Sequence, residues 1–147
     1  MRSIDRIIRE SARDRTFLTL FAALLEPTTG RIDLVSAGHP YALLLRPPAT
    51  PTWVGRPAWP LGARKRPHDA QQYTIHILPG DTLVFYTDGL VEARRSNGTP
   101  FGYDGLAECL TAVGNRAPAA LLAHVLANHH ALCPTVDDDI TLLVMRR

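Results

Sequence analysis

Residues 78–93 read LPGDTLVFYTDGLVEA, and this stretch decides the fold. Pro79-Gly80 is turn chemistry. Thr82 to Tyr86 are strong β formers, because branched and aromatic side chains pack well on a pleated surface. The strand then stops at Asp88-Gly89, which sets a carboxylate where a buried strand opens to solvent. Gly89 allows the backbone to turn sharply or another group to approach closely. Before Pro79-Gly80, Tyr73 to Leu78 reads as a second strand, so the two strands flank the turn.

Upstream, Phe17 to Leu25 is nearly all apolar, which predicts a strand buried on both faces. Pro27-Thr28-Thr29-Gly30 is a turn. Arg31 to Ala37 alternates, with Ile32, Leu34 and Ser36 on one side, so the two segments form a hairpin. Gly38-His39-Pro40 makes a second turn, and Tyr41 to Leu45 a third strand. Residues 46–60 hold five prolines, which cannot donate to a ladder. That segment reads as an irregular surface loop pinned to the body by Trp53 and Trp59. Ile4 to Ala12 has helical character, with Ile4, Ile7 and Ile8 on one face. Downstream, 94–100 is a polar loop. Leu106 to Val113 and Ala117 to Leu132 read as helices, the second carrying Leu121, Leu122, Val125 and Leu126 as its apolar stripe and Pro118 in its first turn. Ile140 to Met145 closes the chain as a strand. Strands segregated from helices imply an α+β layer fold.

The 147 residues allow one domain, and 46% hydrophobic with 20% charged residues supports a core. A net charge of +2 is too small to argue for nucleic acid or an anionic membrane as partner. Lys65 is the only lysine among 16 basic residues. Cys109 and Cys133 show no CxxC spacing, which fits a reducing cytosol, so a cytoplasmic protein is expected. The first fifteen residues lack the apolar core of a signal peptide, and no apolar run approaches the ~20 residues of a membrane span.

Two acidic groups could carry chemistry: Asp88, and Asp137-Asp138-Asp139 just before the last strand. Adjacent anions repel, and a bound cation relieves that repulsion. Hard cations such as Mg²⁺ and Mn²⁺ prefer oxygen ligands. The two groups meet if their strands are neighbours. Aspartate is also common at turns and caps, and spacing alone leaves both readings open. His39 reads as a turn residue bonding backbone. His124, His129 and His130 read as surface or packing residues, and Arg64-Lys65-Arg66 as a solvated cluster.

Five motifs occur in order: Ala37-Gly38-His39-Pro40, Leu78-Pro79-Gly80-Asp81, Tyr86 to Ala93, Phe101-Gly102, and Asp138 to Val144. Together they resemble the C-terminal half to two-thirds of the SpoIIE-type branch of the PPM (PP2C-like) protein phosphatases. The resemblance implies an antiparallel β-sandwich flanked by helices, with two Mn²⁺ or Mg²⁺ ions. It implies metal-dependent hydrolysis of phosphoserine or phosphothreonine without a covalent intermediate. It makes Asp88 and Asp138 metal ligands, with Gly89, Asp139 and Glu92 supporting them. The implied partner is a phosphorylated regulatory protein of the anti-sigma-factor antagonist type, in partner-switching signalling.

Two motifs of such a domain are absent from the sequence: an early GGDxYD type and a GDxxGHG motif, whose Asp bridges the ions. Gly38-His39 lacks the preceding Asp. Residues 1–147 therefore read as a partial phosphatase domain, with 1–16 a helix remnant and 17–147 matching the family. Missing sheet partners would leave apolar surface exposed, predicting self-association. The alternative is a non-catalytic interaction module or a degenerate phosphatase fragment.

Overall fold

The computed structural model describes residues 1–11, 16–46, 48, 51–63, 70–114, 116–135 and 137–147. The Arg64-Lys65-Arg66 cluster lies outside the described residues. The chain divides into two compact units, Met1–Tyr41 with Gly55–His76, and Ala42–Val54 with Ile77–Arg147.

The first unit holds α1 (Arg2–Ser11), β1 (Leu20–Glu26), β2 (Arg31–Ala37) and β5 (Tyr73–His76), with the strands in order β1-β2-β5, all antiparallel. The expected hairpin forms between β1 and β2, running from Leu20 opposite Ala37 to Glu26 opposite Arg31. Gly30 closes its turn, donating its N–H to the Glu26 carbonyl at 2.8 Å. The alternation read in β2 is the observed one: Ile32, Leu34 and Ser36 are buried, while Arg31, Asp33 and Val35 are not.

Two readings in this unit need correction. β1 is not buried on both faces: it is an edge strand, and Leu24 is 73% exposed. A strand is buried on both faces only where packed layers cover both faces of its sheet, and no β1 residue is buried. In α1 the buried residue is Asp5, while Ile4 and Ile7 are exposed. The Asp5 carboxylate accepts the Gly62 N–H at 2.9 Å and the Arg9 Nε–H at 3.0 Å, which satisfies a buried charge. Trp59 is 52% exposed, so only about half of its surface is covered. The Gly38-His39-Pro40 turn does behave as read: His39 Nδ1 lies 3.0 Å from the Pro40 carbonyl. Gly38 has φ +68°, and a Cβ there would overlap the Pro60 ring, so only glycine fits.

The second unit holds β3 (Ala42–Leu45), β4 (Thr52–Val54), β6 (Thr82–Tyr86), α2 (Asp88–Glu92), α3 (Gly102–Val113), α4 (Pro118–Leu132) and β7 (Leu142–Arg146). Its antiparallel sheet runs β4-β3-β6-β7. β6 is central, and four of its five residues are buried, as its unbroken apolar text requires. α3 turns Leu106, Cys109, Leu110 and Val113 inward, an i, i+3, i+4, i+7 stripe. They join Leu43, Leu45, Val84 and Tyr86 from the sheet, Leu90 and Val91 from α2, and Leu121 and Val125 from α4 in one core. Both cysteines are buried there as free thiols.

Here too the sequence reading is revised. The 46–60 segment contains a strand, β4, because its pairing residues Thr52 to Val54 lie clear of the prolines. Trp53 is 41% exposed and meets the Tyr103 ring edge-on, centroids 5.2 Å apart. The strands flanking Pro79-Gly80 belong to different sheets, so that turn does not close a hairpin. Five-residue α2 was not anticipated, and α3 begins at Gly102, four residues early. Arg46 and Asp81 form a pair, Nη2 to Oδ2 at 2.6 Å with Nε on the same carboxylate, and the Leu78 N–H donates to it at 2.8 Å.

Candidate metal centre

β6 and β7 are neighbours, paired from Thr82 opposite Arg146 to Tyr86 opposite Leu142. Both carboxylate groups lie just past the Tyr86 end of this ladder, Asp88 following β6 and Asp138 preceding β7. The Thr87 N–H continues the ladder by donating to the Thr141 carbonyl at 3.1 Å. The Thr87 hydroxyl donates to the Asp139 carbonyl at 2.9 Å and accepts the Thr141 N–H at 2.8 Å. Gly89 then passes so close to the opposite segment that a Cβ on it would sit 2.6 Å from the Asp139 carbonyl oxygen and 3.1 Å from that of Asp138.

Asp88 opens α2 and is exposed, its Oδ1 accepting the Gly89 N–H at 3.1 Å. Asp138 is exposed, its Oδ1 accepting the Asp139 N–H at 2.7 Å. Asp139 is exposed and tied to Thr87 through its backbone. Glu92 is exposed at the end of α2, four residues from Asp88 and so on the same side of the helix. Gly89 is buried. His130, Asp137, Asp138, Asp139 and Ile140 line an open cavity of about 520 Å³. Sequence reasoning did not connect His130 to these carboxylates. Nor did it find Thr87, whose only signal was its place before Asp88.

Two exposed carboxylates on backbones held in van der Waals contact are hard oxygen donors, and they fit half of a divalent-cation site. Among the described residues no group of three or more His, Cys, Asp or Glu side chains is placed to hold a metal ion. A cation between Asp88 and Asp138 would therefore complete its shell from water or from a further segment.

Behind α2 lies His129, fully buried, its ring 5.1 Å from that of Phe101. Burial pushes its pKa below the ordinary 6.5; the Leu90 backbone opposes this, and neighbouring His130 adds to it. In the unfolded chain the ring takes up a proton below about pH 6.5, while the folded ring resists until lower pH. The stabilisation is thus present above pH 6.5 and lost as pH falls toward the folded pKa. The urea midpoint is expected to drop between pH 7.5 and pH 5, and His129→Leu to flatten that slope.

Among the described residues no helix is long and apolar enough to cross a membrane. The family model for stage II sporulation protein E (SpoIIE) matches residues 1–147. Protein IcfG of Synechocystis is 29% identical over 111 residues, covering 74% of this chain and 17% of that protein. The phosphatase domain of SpoIIE from Bacillus subtilis, presoaked in Mn, superimposes with a TM-score of 0.60 at 16% identity, over 87% of this chain and 56% of that one. The RsbU and RsbW domains of a Mycobacterium tuberculosis protein give 0.71 at 25% identity, over 97% and 39%. The chain thus spans little more than half of each relative, or less. The two antiparallel sheets and four helices among the described residues have the α+β, PP2C-like fold of these structures, and the chain belongs to the SpoIIE family as a SpoIIE-type PPM phosphatase domain.

Proposed function

We propose that this chain is the C-terminal portion, residues 1–147, of a metal-dependent protein phosphatase domain, contributing Asp88 and Asp138 as ligands to Mn²⁺ or Mg²⁺. The observation that carries this reading is the close approach of Gly89 to the 138–139 backbone, which sets the carboxylates that follow β6 and precede β7 at one end of the sheet. The divalent ions supply charge against the phosphoryl group and acidify water. The chain's own residues hold and orient: Asp88 and Asp138 bind, Gly89 permits the approach, and Asp139 and Glu92 support the pair. The substrate class is phosphoserine or phosphothreonine on a cytoplasmic regulatory protein of the anti-sigma-factor antagonist type, within partner-switching signalling. Exposed Leu24, Phe17 and Leu18 support self-association as well.

Titration with Mn²⁺, followed by loss of the free-ion EPR signal, tests the ligand assignment. Asp88→Asn and Asp138→Asn are each expected to weaken binding at least tenfold. Unchanged affinity in both would sink the assignment. Hydrolysis of p-nitrophenyl phosphate with Mn²⁺, lost in Asp88→Asn, tests the reaction.

A second reading, a module that binds the phosphoprotein without turning it over, draws on the lack of a third ligand among the described residues. Calorimetry separates the two: binding of the phosphoprotein that ignores both Mn²⁺ and Asp88→Asn favours the module.

A further inference from the structure

We infer that Thr87 is a positioning residue whose hydroxyl locks the two ligand-bearing segments together and so sets the divalent-cation affinity of the Asp88–Asp138 pair. The inference rests on the metal-site reading above. Thr87 immediately precedes Asp88, yet its side chain bonds across the gap. Its hydroxyl donates to the Asp139 carbonyl at 2.9 Å and accepts the Thr141 N–H at 2.8 Å. One oxygen therefore fixes the peptide groups on both sides of the turn into β7, 52 and 54 positions away in sequence.

The lock acts on Asp138 through a short path. The two peptide groups that meet at Asp139 are each held, the preceding one by its N–H on Asp138 Oδ1 at 2.7 Å and the following one by its carbonyl on Thr87. With the backbone held on both sides of Asp139, the N–H that orients the Asp138 carboxylate keeps its place. On the other segment, Thr87 is bonded to Asp88 along the chain, and Gly89 leaves no room for a Cβ against the Asp138 and Asp139 carbonyls. The hydroxyl thus adds a side-chain tie between the two segments to the backbone bond from the Thr87 N–H to the Thr141 carbonyl. Cation affinity falls steeply when ligand orientation is lost, typically 10- to 100-fold for residues that hold ligands in place.

The test compares Thr87→Val, which keeps shape and loses the hydroxyl, with Thr87→Ser, which keeps the hydroxyl. Mn²⁺ affinity is read by EPR and folding by thermal melting. Thr87→Val is expected to weaken Mn²⁺ binding about tenfold, and Thr87→Ser to stay within about twofold of the parent. In an Asp138→Asn background Thr87→Val is expected to have no further effect, because the residue acts through that ligand. A purely structural role would give additive losses that track the melting temperature. Should Thr87→Val not fold, Thr87→Ala and Thr87→Ser carry the same comparison. Parent-like affinity in folded Thr87→Val or Thr87→Ala, alongside loss in Asp88→Asn, overturns the lock and leaves the metal site standing. Parent-like affinity in Asp88→Asn and Asp138→Asn overturns the metal site itself.

Discussion

Gly89→Ala is expected to lower the unfolding free energy by about 2 kcal/mol, and to weaken Mn²⁺ binding with it. Alanine favours a helix over glycine by about 1 kcal/mol, so α2 taken alone would gain. The added methyl group, however, would lie 2.6 Å from the Asp139 carbonyl oxygen and 3.2 Å from the Asp138 carbonyl carbon. These are backbone atoms, and they cannot swing away as a long side chain can. Asp139 is held by Thr87 at 2.9 Å, and β7 follows at once. Overpacking against fixed neighbours costs about 3 kcal/mol, and that term wins. Urea unfolding at neutral pH measures the net loss. Gly98→Ala is the control: nothing lies within 4 Å of its Cβ, and only its φ of +82° opposes the change, at about 1 kcal/mol. Equal stability of Gly89→Ala and the parent would show that the two segments part more freely than the contact implies.

Asp81→Ala is expected to cost about 3 kcal/mol. Asp81 is 3% exposed and accepts three donors, the Nε and Nη2 of Arg46 and the Leu78 N–H. Removing the carboxylate strands the Leu78 amide and leaves a guanidinium without its anion. Arg46 retains 44% side-chain exposure, so water recovers part of the loss, and the figure sits at the low end for a broken buried pair. The pH dependence has a defined sign. Burial alone would raise the Asp81 pKa, but Arg46 and the Leu78 N–H outweigh it and hold the group below its ordinary 3.8. Its stabilisation is therefore complete above pH 3.8 and lost as pH falls through the folded value. The gap between parent and Asp81→Ala, measured by urea unfolding, should be full at pH 7 and shrink below pH 3.8.

Much of the second unit is legible in the sequence because its signals are physical and local. The Thr82–Tyr86 run of branched and aromatic residues reads as a buried strand, and Leu106 to Val113 and Ala117 to Leu132 read as helices, as found. The two aspartates stood out by motif. What could not be read were facts of pairing. Nothing near Asp81 in sequence announces Arg46, 35 positions away. The same apolar text that makes β6 central made β1 look central, and only the sheet order tells an edge from a middle. α2 has five residues, too few for a period to register. β4 was hidden by the prolines around it. The carboxylate groups were read as able to meet, and the neighbour relation of β6 and β7 is what brings their backbones together.

That relation has a consequence in time. Thr87 and Asp139 are 52 residues apart, and α3 and α4 lie between them. At ribosomal rates of about 5–20 residues per second, β6 emerges roughly 3–10 seconds before the strand that completes its ladder. Through that interval the apolar flank of β6 has β3 on one side and an open edge on the other, the state in which strands pair with wrong partners. The two carboxylate-bearing segments cannot meet before β7 arrives, because Thr87 bonds the Asp139 carbonyl and the Thr141 backbone that lead into it. Closure of the Asp88 and Asp138 segments on each other is thus a late event, one that reports β7 docked on β6.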